Sequence, residues 1–485
     1  MAVSRDLLIV SGGRLVTTLL GLLTTRAVTT FLTPAQYGAL ALLIVVQTFC
    51  GLFLINPVGM HINRHTHEWW DDGSLLSRLS GYKMYVLTVS FIGGIVAITV
   101  TIQLGMIRVA MIVLAMILMV NGATWNTTWI PLLNMVGQRS KAVIWTVITA
   151  VTGLLTSILL STVWPTAIAW FVGQAFGMTV GAIGAGRELR QHAFSQKNVV
   201  PQPLLDRGVI ITYCLPLAAG TGFMWAQLSG YRLIVEHYWG LSSLGFLSVG
   251  LLLAGQMWSL TESLAQQFLY PLFFRRIAQS DKNTASVALS DLLNVLVPVY
   301  LVLVGMTFLG APYLLKLLIA SQYTQAEIFV RLGVGIEFCR VVGNLLSNAA
   351  QVTKRTRSIV LPYASGAIAL FLMLVIIGEC HLGIAWVAIS LLLAALVMLG
   401  GMWAAMFREI KFFLDMKRWL VAVLMMLLFI LPTFWLNYPT NWTEVAVMLL
   451  IIGVLGGAVV VGLLKGSTAL QRLLIVDLKS RSGTV

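Results

Sequence analysis

The sequence predicts an all-α polytopic membrane protein. About fourteen transmembrane helices form two six-helix lobes related by a parallel pseudo-twofold repeat, with two extra helices at the C-terminal end. Three observations predict it. The 485 residues are 59% hydrophobic and only 10% charged, with a mean hydropathy of +0.92, whereas soluble domains carry about 25% charged residues. Apolar stretches of ~20 residues recur along the whole chain, each long enough to cross ~30 Å of hydrocarbon as a helix. Lys and Arg then alternate between the connections in the way membrane topology demands.

The first lobe, 1–190, holds spans at 8–31, 38–62, 83–104, 107–130, 142–162 and 165–186. A connection over 191–208, with Pro201 and Pro203, reads as a cytoplasmic linker. The second lobe, 209–407, holds spans at 209–233, 244–269, 290–314, 326–352, 358–379 and 383–407. The remainder, 408–485, holds spans at 419–436 and 444–464 and a tail. With both termini cytoplasmic, 24 of the 31 Lys and Arg fall on the cytoplasmic side. Examples are Arg64, Arg78 and Lys83 after the second span, Arg187 and Arg190 after the sixth, and Arg275 and Arg276 after the eighth. Only Arg108 and Lys316 fall at the opposite face. An incorrect count would scramble that alternation.

The lobes carry a weak repeat. Arg26 precedes Gly38 in TRAVTTFLTPAQYGALAL, and Arg232 precedes Gly245 in YRLIVEHYWGLSSLGFLSVG, an offset of about 207 residues. Six spans per lobe means that both enter the membrane in the same sense, so the repeat is parallel, with a substrate site expected between the lobes.

The net charge of +14 would point to nucleic acid in a soluble chain, but here the basic residues sit in short loops flanking apolar spans, so no nucleic-acid partner is expected. Cys50, Cys214, Cys339 and Cys380 lack CxxC spacing, which argues against a disulfide framework or a zinc site. The opening residues MAVSRD lead into a span without a small-residue cleavage site, so no removable signal is expected. No cofactor-binding or nucleotide-binding motif is present.

Over roughly residues 5–405 the chain resembles the multidrug/oligosaccharidyl-lipid/polysaccharide exporter superfamily, and within it the polysaccharide flippases that handle O-antigen and exopolysaccharide units. The marks are FLTPAQYGALAL after the first span, YRLIVEHYWGLSSLGFLSVG between the seventh and eighth, and FLYPLFFRRIA after the eighth. IASQYTQAEIFVRLG entering the tenth and ECHLGIAWVAIS between the eleventh and twelfth complete the set. One departure is Tyr231, which stands before Arg232 where the family commonly has an acidic residue. The resemblance implies a transporter, not an enzyme, in a bacterial cell inner membrane. Its expected task is to carry a polyprenyl-diphosphate-linked oligosaccharide from the cytoplasmic to the periplasmic leaflet for cell-surface polysaccharide synthesis. Membrane lipid, polysaccharide polymerase and chain-length proteins are the partners it implies.

A charge inside a bilayer costs about 2.5–3.5 kcal/mol on insertion scales, so it needs a partner or a wet cavity. The candidates are Arg14, Arg26, Arg232, Glu262, Arg331, Glu337 and Arg340. Arginine's planar fork binds phosphate oxygens bidentately and keeps its charge, which suits an anionic lipid diphosphate. Arg14, Arg26, Arg232, Arg331 and Arg340 are therefore the substrate-binding candidates, and Glu262 and Glu337 the ion-coupling candidates. Each has a plainer reading. Arg14 and Arg26 can snorkel to opposite interfaces. Arg232 can pair with Glu236, Arg331 with Glu327, and Arg340 with Glu337 at helical spacing.

His61, His65 and His67, with Trp69 and Trp70, read as interfacial aromatic anchoring more than a metal site. Asn121, Trp125, Asn126 and Trp129 recur at helical spacing, for helix packing through polar hydrogen bonds or for stacking on sugar. Two other functions compete. A cation-coupled multidrug antiporter should present acids to its substrate, and the first span offers two arginines and no carboxylate. A membrane-embedded polysaccharide polymerase or ligase needs a substantial extracytoplasmic loop, and every such connection here is short.

Overall fold

The structure, a computed structural model, describes residues 2–101, 106–193, 208, 210–277, 282–353, 355–436, 438–439 and 441–481. The predicted linker, with Lys197, Pro201, Pro203 and Arg207, lies mostly outside the described residues. All regular elements described are helical. They are α1 (Ala2–Phe31), α2 (Pro34–Phe49), α3 (Asn56–Asp71), α4 (Leu75–Thr101), α5 (Met106–Met135), α6 (Arg139–Val163), α7 (Ala167–Ala193), α8 (Leu215–Trp225) and α9 (Tyr231–Phe268). There follow α10 (Tyr270–Ile277), α11 (Lys282–Leu318), α12 (Glu327–Val352), α13 (Val360–Glu379), α14 (Ala385–Glu409), α15 (Met416–Ile430), α16 (Trp442–Lys465) and α17 (Thr468–Arg481). The described residues of the fourteen predicted spans lie mostly on helical backbone. Among the described residues, eleven helical stretches are long and apolar enough to cross a membrane.

Two compact units emerge, Met1–Gly245 and Phe246–Val485. In the first, α6 and α7 pack through a stripe of small residues. A Cβ on Gly173 would lie 2.4 Å from the Ser157 backbone, one on Gly177 2.4 Å from the Gly153 backbone, and one on Gly181 1.8 Å from the Thr149 hydroxyl. Such approach needs glycine, and in lipid it replaces the hydrophobic effect as the source of helix association. Asn126 ties the same helices to α5, donating to Thr149 Oγ1 at 2.9 Å and to the Met178 carbonyl at 3.3 Å.

The helix starts are encoded locally. Thr33 caps α2, its hydroxyl accepting from the Gln36 amide at 3.4 Å, with Pro34 in the first turn. The corresponding segment of α9 breaks at Gly240, whose φ of 77° is open to glycine at no steric cost.

The repeat is realised as a reciprocal contact inside the first unit. A Cβ on Gly38 would meet the Leu241 carbonyl oxygen at 2.0 Å, and one on Gly245 would meet the Pro34 carbonyl oxygen at 1.9 Å. Each glycine sits four residues after the carbonyl that its counterpart touches, so a 207-residue shift maps one contact onto the other.

In the second unit the core runs along α9, α11, α12 and α14, with Trp258, Tyr300, Leu345 and Met402 fully buried. Asp291 of α11, 1% exposed, accepts from Arg276 of α10 at 2.9 Å and from Arg472 of α17 at 3.1 Å. One buried carboxylate thus clasps three helices together.

Candidate functional site

The structure gathers three of the predicted residues into one ionic cluster in the second unit. Arg340, on α12, donates through Nε to Glu337 Oε2 at 2.7 Å and through Nη1 to Glu262 Oε2 at 3.0 Å. The first partner is one turn away on the same helix; the second comes from α9. Asn344 completes Glu262, donating to its Oε1 at 3.0 Å, and Tyr363 of α13 donates to Asn344 Oδ1 at 3.4 Å. Gly255 makes room on α9, since a Cβ there would touch Glu337 Oε1 at 3.4 Å. Two carboxylates against one guanidinium leave the cluster one negative charge in surplus. That surplus gives the cluster the charge that a bound small cation would neutralise.

Asn344 and Tyr363 were missed in the sequence. The signal for Asn344 was present, because Glu337, Arg340, Asn344 and Asn348 recur at helical spacing on an otherwise apolar helix. Nothing in the sequence marked Tyr363.

Arg331 forms the i,i+4 pair with Glu327 at 2.7 Å, and its guanidinium lies 5.3 Å from the centre of the Phe308 ring. Arg232 opens α9 half-buried, stacked 5.1 Å from the Tyr231 ring, with its Nε buried and lacking a hydrogen-bond partner. No ion pair joins it to Glu236 among the described residues. Arg14 is exposed on α1 and Arg26 half-buried on the same continuous helix. Twelve residues set them about 120° apart around that helix.

The first unit also has π-helical turns, at Cys50–Ile55, Ile210–Cys214 and Ala226–Gly230. Such turns are rare and cluster at functional sites. The first faces a cavity of about 320 Å³ whose neutral wall mixes amides and hydroxyls, among them Gln47, Asn63 and Thr124, with the apolar Leu52, Ile62 and Val120. His61, His65 and Trp69 stack on one face of α3, with ring centres 4.5 Å and 5.3 Å apart in sequence. Arg78 lies over Trp69 at 4.8 Å.

No protein-family model matches the sequence, and no curated protein matches it. Among solved structures, the chain is similar to a lipid II flippase MurJ in an inward closed conformation. The TM-score is 0.67 at 14% identity, covering 93% of this chain and 98% of that one. It is also similar to an inward-facing multidrug resistance transporter of the MATE family within the MOP superfamily. There the TM-score is 0.54 at 14% identity, covering 81% of this chain and 94% of that one. The chain therefore has the fold of these multi-pass membrane transporters.

Proposed function

We propose that the protein is a flippase that moves a polyprenyl-diphosphate-linked oligosaccharide from the cytoplasmic to the periplasmic leaflet of a bacterial inner membrane. Both termini are cytoplasmic in this reading, and the product feeds cell-surface polysaccharide synthesis. The observation that supports it is a fold shared with a lipid II flippase, together with three arginines, Arg14, Arg26 and Arg232, on helices that the sequence predicts to span the membrane. Their guanidinium groups hold the diphosphate while it crosses the low-dielectric layer. Arg331 and Arg340 are the weaker substrate contacts, because carboxylates at 2.7–3.0 Å already meet their charge. Glu262 and Glu337 couple the cycle to a proton or cation through the surplus charge they share.

The test is deletion of the gene followed by assay of the leaflet in which lipid-linked oligosaccharide accumulates. Accumulation on the cytoplasmic face is expected, with Ala at Arg14, Arg26 or Arg232 reproducing it at normal membrane levels. Lys should restore only part of the export, since an ammonium keeps the charge and loses the fork. Accumulation on the periplasmic face would instead place the defect after translocation, in polymerisation or ligation.

The acidic surplus of the Glu262–Arg340–Glu337 cluster favours one second reading, a cation-coupled multidrug antiporter. Increased sensitivity of the deletion strain to cationic drugs, with normal lipid-linked oligosaccharide, would establish that reading in place of the first.

A further inference from the structure

The first unit has a second cavity that the transport reading leaves unused. It holds about 360 Å³ and lies among α4, α5 and α7. Lys83, Arg187 and Arg190 line it together with Trp125, Trp129 and Asn121. All three cations are exposed, and no carboxylate pairs with any of them among the described residues. The one acid in the run Arg187-Glu188-Leu189-Arg190 turns to Lys141 of α6 instead. Both arginines thus stay available at the cavity.

The cavity is built rather than incidental. Trp125 and Trp129 stack with ring centres 5.1 Å apart and planes 18° apart, and Arg190 sits 5.8 Å over Trp129. Gly186 lets the Trp129 indole approach α7, where a Cβ would lie 3.1 Å from its Nε1. Gly122 does the same deeper in, where a Cβ would lie 2.5 Å from the Thr179 hydroxyl. From Trp129 to Asn121 the wall descends about 12 Å along α5 at 1.5 Å per residue. Cations line one end, indole rings the middle, and a neutral amide the other end. That gradient runs from charged to neutral over the length of a lipid head and its glycerol.

We propose that this cavity binds the phosphate groups of a membrane lipid at the face where α4 begins and α5 and α7 end. Three uncompensated cations exceed the charge of one phosphodiester and suit a head with two phosphates. Basic pockets between helices at a membrane surface hold such heads, each Lys or Arg contributing about 1 kcal/mol, or roughly fivefold in affinity. The indole rings lie against the glycerol and upper chain carbons, as tryptophan does at bilayer interfaces. Cardiolipin as the occupant stands apart from the identity of the cargo, whereas a polyprenyl diphosphate as the occupant rests on the proposed flippase reading and makes this cavity a site for the cargo's head.

Native mass spectrometry of the full-length purified protein tests it. The probes are cardiolipin, a polyprenyl diphosphate, phosphatidylethanolamine and inorganic pyrophosphate. Cardiolipin or the polyprenyl diphosphate should bind at least tenfold better than phosphatidylethanolamine, and whichever binds identifies the source of the lipid phosphate. The triple change Lys83→Gln, Arg187→Gln, Arg190→Gln should erase that preference. A triple of equal charge elsewhere, Arg357→Gln, Arg408→Gln, Lys411→Gln, should keep it. Equal losses in the two triples would reduce the effect to net charge and overturn the site. So would an unchanged preference in the first triple, or pyrophosphate binding as well as either lipid.

Discussion

Replacing Gly38 or Gly245 with Ala puts a methyl group where no real carbon sits. The new Cβ of Gly38→Ala lies 2.0 Å from the Leu241 carbonyl oxygen and 2.8 Å from its carbon; that of Gly245→Ala lies 1.9 Å from the Pro34 oxygen. Ordinary contact begins near 3.4 Å, so the two segments must separate by roughly 1.4 Å. Both obstacles are backbone atoms, which no rotamer change moves aside. Overpacking a close contact costs about 1–3 kcal/mol, and an immovable neighbour places these changes at the upper end. One separation relieves both clashes, because the contacts are reciprocal. The double variant should therefore lose little more than the worse single one, a coupling within the 0.5–3 kcal/mol range known for touching residues. Thermal unfolding of purified protein measures this, with Gly453→Ala as the control, since nothing lies within 4 Å of a Cβ at that helical position. The control should lose nothing. Single variants as stable as the control, or a double variant whose loss equals the sum of the two, would refute the shared contact.

Two further predictions concern ion pairs in the second unit. Asp291→Ala should cost about 3–5 kcal/mol, because it leaves the largely buried Arg276 without this carboxylate. Arg472→Ala should cost under about 1 kcal/mol, its side chain being 52% exposed; equal melting losses for the two would contradict the clasp. Glu262→Gln and Glu337→Gln should each leave a folded protein, since Arg340 keeps one carboxylate, while changing the pH dependence of export. The double variant should lose folded protein from the membrane, and a stable double variant would show that the cluster does not hold Arg340.

Span positions were legible because a bilayer imposes length and hydropathy on each segment independently. The repeat was legible for a related reason: FLTPAQYGALAL and WGLSSLGFLSVG place a glycine at one offset, and the Gly38 and Gly245 contacts occur at that offset. The i,i+3 and i,i+4 pairs at Arg340 and Arg331 followed from helical spacing. Partners across helices did not follow. Glu262 lies 78 residues from Arg340, and periodicity gives the face a residue occupies but not the helix that meets it. Arg276 read only as a topology charge and Arg472 only as one of the 24 cytoplasmic Lys and Arg, although both reach Asp291. The π-helical turns left no trace, since one extra residue in a turn barely disturbs a continuous apolar pattern. The Gly173, Gly177, Gly181 stripe was in plain view and was read only as apolar span.

Arg232 gives the sharpest separation between stability and transport. Its Nε is buried without a hydrogen-bond acceptor, while the ring of Tyr231 at 5.1 Å supplies only a face-on cation contact. A buried unsatisfied donor costs about 1–3 kcal/mol, and more when the group is charged. A cation–π contact returns about 0.5–2 kcal/mol. The two nearly offset, so Arg232 contributes little to holding the resting fold together. Arg232→Leu keeps most of the side-chain volume and removes the orphaned donor, so it should leave the melting temperature at or above that of the wild type while ending export. Arg331→Leu is the contrast. Arg331 also has a buried Nε without an acceptor, but its guanidinium is bound to Glu327 at 2.7 Å. Removing it strands that carboxylate, so this variant should lose stability. If Arg232→Leu melts below the wild type, or if it still exports, Arg232 is a structural residue and the cargo-binding role must rest on Arg14 and Arg26.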